Sequence, residues 1–409
     1  MSPVTLFLIC LAAIFLIGTF GEVVFSRTKV PDVVWLILVG ILLGPVLHIV
    51  TRTTLLSVAP YFSALTLVLV LFEGGSRLDI VQLYRAAARS VLLSVLSFLF
   101  SAVAVTLVSR VMVESGLLPR TWDWHQELLI GLIVGGTSPI VVMAAITRAG
   151  VPPEAANLIS LESALSDVLC IVAVSSVIGI FKSGEIGHGP WLDLVRSFGL
   201  GILVGAAGGL LWLLLLDWLK ENEHAYPITL SALLLLYVVV EGVGGSGALG
   251  VLAFAVVVGN ASHIGRQANL ARELRLHDDL RGFHSQMFFI IKSFFFTFVG
   301  AMLGPPWTLA TAGAILAAVL LVARYPAAWL AMTRSSLGPR PRHVVFMTVP
   351  RGVAAGVLAT LPVAAGLPGM EGLPTVVFAC VVGSILIFAA GFPLAMRSGR
   401  EAQPDASPR

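Results

Sequence analysis

The sequence is dominated by apolar runs of transmembrane length that contain few charged residues. A helix of about 20 predominantly apolar residues crosses the hydrocarbon core of a bilayer. Hydrophobic residues make up 57% of the 409 positions and charged residues only 11%, whereas a soluble domain carries roughly 25% charged residues. The chain is therefore predicted to be an all-α polytopic membrane protein.

Thirteen transmembrane helices are predicted from the apolar runs and from the charged, proline and glycine residues between them. They form one transporter domain over residues 1–396, and the polar stretch 397–409 is predicted to be a short, disordered cytoplasmic tail. The predicted spans cover residues 4–25, 31–50, 57–74, 90–113, 127–147, 155–181, 192–216, 227–241, 246–260, 283–303, 309–332, 344–362 and 375–395.

The distribution of basic residues predicts the orientation of these spans. Thirteen crossings place the two termini on opposite sides, and cytoplasmic loops are enriched in Lys and Arg. Seventeen Lys and Arg residues fall in the loops and tail on the side of the C-terminus, against five on the other side. The N-terminus is therefore predicted to lie outside and the C-terminus in the cytoplasm.

Several functional classes find no support in the sequence. Cys10, Cys170 and Cys380 lie inside apolar runs and show neither a disulfide framework nor metal-ligand spacing. The glycine-rich stretch 242–250 lacks the lysine of a phosphate-binding loop. The net charge of +3, without a basic tract, does not indicate nucleic-acid binding. We therefore expect no cofactor, no nucleic-acid partner and no enzymatic activity.

Two of the predicted spans are interrupted by helix-breaking residues. GGTSP at 135–139 lies in the fifth span, and Pro-Arg-Gly at 350–352 lies in the twelfth. If 182–226 forms a linker helix, residues 1–181 and 227–396 are two inverted six-helix repeats, and both breaks fall in the fifth helix of their repeat. Paired breaks at matching positions indicate the binding site of a secondary transporter. The alternative is that proline and glycine are simply common in membrane helices.

Ionisable residues deep in a membrane span are costly, so each one is a functional candidate. Ser163 and Asp167 are four residues apart and share a helix face, and their oxygens form a half-site suited to Na⁺ or K⁺. A partly dehydrated carboxylate can hold a proton or a cation but not both, which is sufficient for exchange. The alternative for Asp167 is a structural ion pair with Arg351. The full set of candidates is Glu73, Glu162, Asp167, Lys292, Arg324 and Arg351.

Glu162 is expected to have an ion-pair partner of its own, outside the Asp167 site. A separation of five positions corresponds to a rotation of roughly 140° around a helix, so Glu162 points elsewhere. Arg324 is the candidate, and the two are predicted to form a structural buried pair whose disruption strands a charge. Glu73 is interpreted either as an acidic ligand or as a solvated acid at a helix end. No role is assigned to Lys292.

At these residues the sequence resembles the monovalent cation/proton antiporter family, in particular its sodium/proton exchanger (NhaP-like) branch. The matching segments are similar, in order, to the family's second helix, its third-helix acidic motif, its Thr-Asp-Pro break, its Glu-Ser-x-x-Asn-Asp helix, the helix that carries the basic partner, and its Leu-Arg-Gly-Ala break. They cover nearly the whole chain and read PDVVWLILVGILLGP at 31–45, LFEGG at 71–75, GGTSP at 135–139, LESALSD at 161–167, VARY at 322–325 and VPRGVAAG at 349–356.

The resemblance implies that Asp167 is the carboxylate that carries both the cation and the proton. Ser163 and the hydroxyl or carbonyl of Thr137 are the implied further cation ligands, with Glu73 as an additional acidic ligand or gate. These four residues would hold Na⁺ or K⁺ as the transported ion. The expected activity is exchange of Na⁺ and/or K⁺ for H⁺ across a prokaryotic plasma membrane.

The resemblance also implies that Glu162 and Arg324 form the family's stabilising pair and that Arg351 compensates the helix dipoles at the second break. Ser138 stands where the family usually has Asp, and Ser166 stands where electroneutral members have Asn and electrogenic members have Asp. A single carboxylate in this part of the site implies electroneutral one-for-one exchange, while the missing Asp leaves a K⁺ or mixed preference open. A homodimer and an elevator-like motion of a core bundle against a dimerisation bundle are implied as well.

Two other functions are compatible with the same architecture. In a sodium-coupled symporter of an organic anion, Arg351 or Lys292 would contact the substrate carboxylate. In a channel-like protein, the broken helices would line a pore. Sodium uptake that requires an organic solute would indicate the first, and single-channel currents would indicate the second.

Overall fold

Every element of regular secondary structure in the described part of the chain is a helix. The computed structural model describes residues 3–28, 32–76, 80–138, 142, 151–183, 188–218, 225–267, 278–333, 335 and 337–401. Within these residues six helices are long and apolar enough to cross a membrane, and six apolar helices of 10–17 residues accompany them. The predicted all-α membrane fold is therefore confirmed, whereas the count of thirteen spans and the inverted repeats stay predictions.

Fifteen α-helices lie within the described residues, and α2 continues into a π-helical turn, Leu42–Val46. They are α1 (Pro3–Thr28), α2 (Asp32–Ile41), α3 (Arg52–Ser76), α4 (Ile80–Glu114), α5 (Trp124–Ile133), α6 (Pro153–Ser183), α7 (His188–Trp218), α8 (Ala225–Gly242), α9 (Gly247–Gly259), α10 (Ala261–Gln267), α11 (Asp278–Met302), α12 (Trp307–Met332), α13 (Pro339–Met347), α14 (Val353–Ala364) and α15 (Leu373–Glu401).

The local sequence explains where helix α5 begins and where it ends. A capping box starts it: the Asp123 carboxylate accepts from the His125 N–H, and the Gln126 side chain accepts from the Asp123 N–H. Such reciprocal bonds satisfy donors that a helix N-terminus leaves free. The helix then ends at Ile133, and Val134 is followed by two consecutive glycines, which are poor helix formers. The predicted fifth span extended to residue 147, and most of 139–150 lies outside the described residues.

The last helix runs further than the predicted last span. Helix α15 continues to Glu401, whereas the span was predicted to end at residue 395. Residues 402–409 of the predicted tail lie outside the described part of the chain.

The chain divides into two compact units, and each combines segments from both halves of the sequence. The first unit comprises Met1–Ala59, Ala88–Val174 and Ser293–Arg409. The second comprises Pro60–Ala87 and Ser175–Lys292. Long helices such as α4 and α6 therefore contribute residues to both units.

Close helix packing in the first unit depends on small residues. Among the described residues, helices α12 and α15 pack together along much of their length. A side chain at Gly313 would overlap the Val376 carbonyl, and one at Gly383 would lie 2.8 Å from the Ala317 methyl group. Small residues let backbones approach in this way where lipid provides no hydrophobic driving force between helices.

In the second unit, small residues along one face of α7 likewise allow close helix packing. Gly201, Gly205 and Gly209 are spaced four residues apart and face α9. A side chain at Gly205 would overlap the Gly250 carbonyl, and a β-carbon at Gly209 would lie 2.9 Å from the Val257 β-carbon. This small-residue face explains the close packing of α7 and α9.

Candidate functional site

Two non-helical segments meet in the core of the first unit. The first follows α5 and is described over residues 134–138, and the second joins α13 to α14 over residues 348–352. The Ser138 N–H donates to the Pro350 carbonyl at 2.8 Å. A β-carbon at Gly352 would lie 2.5 Å from that of Ser138, so only glycine permits this approach. The two breaks that the sequence singled out are therefore in direct contact.

The first break is anchored to α6 by hydroxyl groups. The Thr137 N–H donates to Ser166 Oγ at 3.1 Å, and that hydroxyl donates to the Ser163 carbonyl at 2.9 Å. The Thr137 and Ser163 hydroxyls share a further hydrogen bond of 2.9 Å. All three side chains are buried. Ser166 thus holds the broken segment in place, and Thr137 and Ser163 present adjacent oxygens.

Asp167 directly follows Ser166 in the chain and is half-buried. No described residue donates a hydrogen bond to its carboxylate. A β-carbon at Gly136 would lie 3.3 Å from Asp167 Oδ1 and 2.9 Å from Cys170 Sγ, so the absence of a side chain there leaves the carboxylate uncovered. Arg351 is the cation whose electrostatic field acts on this group. Asp167 is thus an acidic oxygen donor open to a ligand.

Glu162 and Arg324 form a closed ion pair in the same unit. Arg324 donates to both carboxylate oxygens, from Nη2 to Oε2 at 2.7 Å and from Nη1 to Oε1. Its remaining bonds go to Ser97 Oγ at 2.7 Å, to the Val345 carbonyl at 3.1 Å and to the Thr348 hydroxyl. Arg324 therefore ties α4 and α6 to the end of α13, and its charge is fully engaged in holding the second break.

Arg351 lies in the second break and is almost completely buried. Its backbone N–H donates to Ser384 Oγ at 2.9 Å, and its Nη2 donates to Ser101 Oγ at 3.2 Å. Its Nε and Nη1 are buried and have no partner among the described residues. The Ser138 hydroxyl, at the position where the resemblance expects Asp, is likewise buried without a partner among those residues. The second break therefore carries a cation with few acceptors.

The donor set at Asp167 favours a monovalent alkali cation. It consists of one carboxylate and the neutral hydroxyls of Thr137 and Ser163, and oxygen ligands suit hard cations. Within the described residues no group of three or more His, Cys, Asp or Glu side chains is placed to hold a metal ion. A divalent ion such as Ca²⁺ takes 6–8 oxygen ligands, commonly with several carboxylates, whereas this set of three residues contains one carboxylate.

Two further candidates belong to the second unit, where each is described by itself. Glu73 lies near the end of α3 and is half-buried, and Tyr226 at the start of α8 interacts with it electrostatically. Lys292 is buried on α11, with its ammonium group 5.2 Å from the centre of the Phe289 ring. The cation-ligand role expected of Glu73 stays a prediction.

The hydroxyl partners of the buried arginines were not identified from the sequence. Ser97 and Thr348 bind Arg324, while Ser101 and Ser384 bind Arg351. One signal was available: serines at 94, 97 and 101 recur at helical spacing along an otherwise apolar span. Such spacing marks one helix face, but it does not identify the residues that this face meets.

Comparison with known proteins agrees with this architecture. A family model described as "Sodium/hydrogen exchanger, transmembrane" matches residues 11–396. The K(+)/H(+) antiporter NhaP2 of Shewanella oneidensis is 28% identical over 358 residues, which is 85% of this chain and 59% of the relative. The Na(+)/H(+) antiporter 1 of Methanocaldococcus jannaschii is 25% identical over 292 residues, 70% of this chain and 66% of the relative. The chain thus spans about 59% of the length of the NhaP2 relatives it matches.

A solved structure supports the fold. That of the sodium proton antiporter MjNhaP1 from Methanocaldococcus jannaschii at pH 8 matches with a TM-score of 0.77 at 20% identity. The match covers 96% of this chain and 99% of that chain. The chain therefore shares its overall fold with that structure.

Proposed function

Since this chain belongs to the transmembrane sodium/hydrogen exchanger family, we propose that it is a secondary antiporter that exchanges Na⁺ and/or K⁺ for H⁺. The observation that carries the proposal is the state of Asp167, a half-buried carboxylate with no hydrogen-bond donor among the described residues. It lies four residues after Ser163, whose hydroxyl is bonded to that of Thr137. The names of the similar proteins, a K⁺/H⁺ antiporter and a Na⁺/H⁺ antiporter, support both ions.

Competition for one carboxylate provides the exchange mechanism. Asp167 binds either a proton or a cation, because each neutralises the same charge and the two cannot occupy it together. The two loaded states have equal net charge, so a cycle that returns one ion for the other moves no net charge. Alternating access of this one site to the two sides of the membrane then gives electroneutral one-for-one antiport.

Thr137 and Ser163 are the proposed neutral ligands of the cation. Their hydroxyl oxygens lie 2.9 Å apart, so a bound cation would replace their mutual hydrogen bond with two ion–oxygen contacts. Glu73 is proposed as an additional acidic ligand or gate. Ser138 supplies a hydroxyl in place of a carboxylate, which lowers the negative charge of the site and favours a weakly hydrated cation such as K⁺ alongside Na⁺.

The proposed cellular setting follows from the sequence. We propose a homodimer in a prokaryotic plasma membrane, with the N-terminus outside and the C-terminus in the cytoplasm. The distribution of Lys and Arg among the predicted loops supports this orientation. Exchange of alkali cations for protons would contribute to pH homeostasis.

Transport into liposomes tests the proposal directly. The purified protein is reconstituted in vesicles with an acidic interior and a pH-sensitive dye, and Na⁺, K⁺, Li⁺ or choline is added outside, with and without an ionophore that clamps the voltage. We expect external alkali cations, but not choline, to cause the release of protons from the vesicle interior at a rate that is independent of voltage. No response to any cation between pH 6 and 9 would overturn the proposal, and uptake that requires an organic solute would establish symport.

Asp167→Asn is the decisive variant in this assay. The amide retains the size of the carboxylate but cannot neutralise a cation or carry a proton, so we expect exchange to be lost while the protein still folds. Glu154→Gln is the matched control, since Glu154 is an exposed carboxylate on the same helix, and its exchange should equal that of the native chain. Exchange at the native rate by Asp167→Asn would disprove the role of Asp167.

A further inference from the structure

A glycine lies directly against the Asp167 carboxylate. A β-carbon at Gly136 would be 3.3 Å from Asp167 Oδ1, 3.3 Å from the Ser166 carbonyl oxygen and 2.9 Å from Cys170 Sγ. Gly136 is buried in the first break, next to the proposed cation ligand Thr137. Any side chain at position 136 would therefore enter the space beside the proposed site on α6.

The backbone conformation does not account for a glycine at this position. Positive φ angles, which favour glycine, occur at four described glycines, and Gly136 is not one of them. An alanine at position 136 could therefore keep the same backbone. What it would change is the space beside Asp167 Oδ1, because a close-packed interior cannot take an added methyl group without displacing a neighbour.

Resting on the proposed antiport function, we propose that Gly136 is a specificity-determining residue that keeps room beside Asp167 for a cation as large as K⁺. Because K⁺ is larger than Na⁺, its oxygen ligands lie farther from its centre, and it takes up more of the space around the carboxylate. The absence of a side chain at Gly136 leaves one side of Oδ1 uncovered. A methyl group there would lie 3.3 Å from this oxygen and would exclude the larger ion before the smaller one.

The neighbouring glycine borders a different helix. A β-carbon at Gly135 would lie 2.6 Å from the Phe98 ring on α4, so a side chain there would press against α4 and not against Asp167. The two glycines thus occupy adjacent positions in one break but border different elements. Gly135→Ala is therefore a matched control, because it adds the same methyl group to the same segment.

Gly136→Ala tests the inference in the liposome assay, with initial rates measured against K⁺ and Na⁺ concentration. We expect the ratio of the KM for K⁺ to the KM for Na⁺ to rise roughly tenfold, the lower end of the discrimination that one methylene provides in a pocket. A substitution that merely loosened the fold would raise both KM values together. Gly135→Ala should lower the Tm but keep the native ratio. An unchanged ratio in Gly136→Ala, or an equal shift in Gly135→Ala, would overturn the inference.

A second variant keeps the test valid if Gly136→Ala fails to fold. The added methyl group would lie 2.9 Å from Cys170 Sγ, which is close enough to displace it. Cys170→Ala removes that sulfur, and the nearest remaining contacts in the double variant are Asp167 Oδ1 and the Ser166 carbonyl, both at 3.3 Å. The KM ratio of the double variant should exceed that of Cys170→Ala by the same factor. Equal ratios in these two proteins would overturn the inference.

Cation binding in detergent tests the same selectivity without transport. A cation that binds only the folded protein raises its Tm, so the Tm is measured in K⁺ or Na⁺ against choline at constant ionic strength. We expect both cations to stabilise Cys170→Ala, and Na⁺ much more than K⁺ to stabilise the double variant. Equal stabilisation of the double variant by the two cations would refute the role of Gly136, as would a native chain that neither cation stabilises. Absence of exchange by the native chain, together with this selectivity in binding, would instead refute antiport and leave the role of Gly136 standing.

Discussion

Glu162 and Asp167 are five residues apart on α6, yet their carboxylates have opposite environments. Glu162 is 0% exposed and receives two hydrogen bonds from Arg324. Asp167 is half-buried and receives none from the described residues. A buried carboxylate in an ion pair stabilises a structure only while its basic partner is present. A carboxylate without such a partner can bind and release a proton or a cation. Glu162 is therefore engaged in an ion pair, whereas Asp167 on the same helix remains available for its proposed role in transport.

Glu162→Gln should destabilise the protein strongly. The substitution leaves the Arg324 guanidinium, which is 3% exposed, without a counter-charge, and breaking a buried pair in this way costs about 3–5 kcal/mol. We expect a clear fall in Tm in detergent and a low yield of folded protein. Glu154→Gln, an exposed substitution on the same helix, should leave the Tm unchanged. A native Tm for Glu162→Gln would show that Arg324 is stabilised by its hydroxyl and carbonyl partners alone.

At the scale of secondary structure, the two non-helical segments satisfy part of each other's backbone hydrogen bonding. Each break exposes backbone groups that cannot be satisfied by lipid. The Ser138 N–H and the Pro350 carbonyl satisfy each other, and α6 supplies the Ser166 hydroxyl for the Thr137 N–H. Neither break is therefore stable in its described form without the other.

Gly352→Ala should disrupt the contact between the two breaks, and a second substitution should restore it. The new methyl group would lie 2.5 Å from the Ser138 β-carbon and closer still to its hydroxyl, and such overpacking typically costs about 1–3 kcal/mol. We expect a lower Tm and a large loss of exchange. In the double variant with Ser138→Gly, the nearest Ser138 atom that remains is the α-carbon at 3.7 Å, so stability should recover. Failure of the double variant to recover would show that the clash is not the cause.

At the scale of the whole molecule, the proposed exchange predicts a link between pH and cation affinity. One carboxylate serves both ions, so protons compete with the cation by mass action. Under the proposed mechanism each bound ion neutralises the same carboxylate, so the proposed transport cycle moves no net charge.

The apparent KM for the cation should rise as the pH falls, by up to about tenfold for each pH unit in the range where protons saturate the site. The measurement is the initial rate of dye response against cation concentration at several pH values, with the voltage clamped at zero. Repeating it at a clamped voltage of either sign should give the same rates. A KM that is independent of pH would place the proton on a separate group, and a voltage-dependent rate would exclude one-for-one exchange.

The sequence by itself determined the class of protein and the positions of its two breaks. Apolar runs of membrane length, charges deep within them and glycine or proline in two spans are local features, because each depends on a stretch of chain shorter than one helix. The all-α membrane fold and the family resemblance, both inferred from these features, are confirmed.

Glu162 and Arg324 were named as partners from the sequence, but for the other buried polar groups only the tertiary structure decided which of them meet. The contact between Ser138 and Pro350 joins residues more than two hundred positions apart, and the bond between Ser101 and Arg351 joins residues 250 positions apart. Helical spacing predicts which residues share a face, but the partner of that face depends on how whole helices pack. The serines that bind the buried arginines therefore looked like ordinary polar residues in the sequence, and their role emerged only when α4, α15 and the second break were seen together.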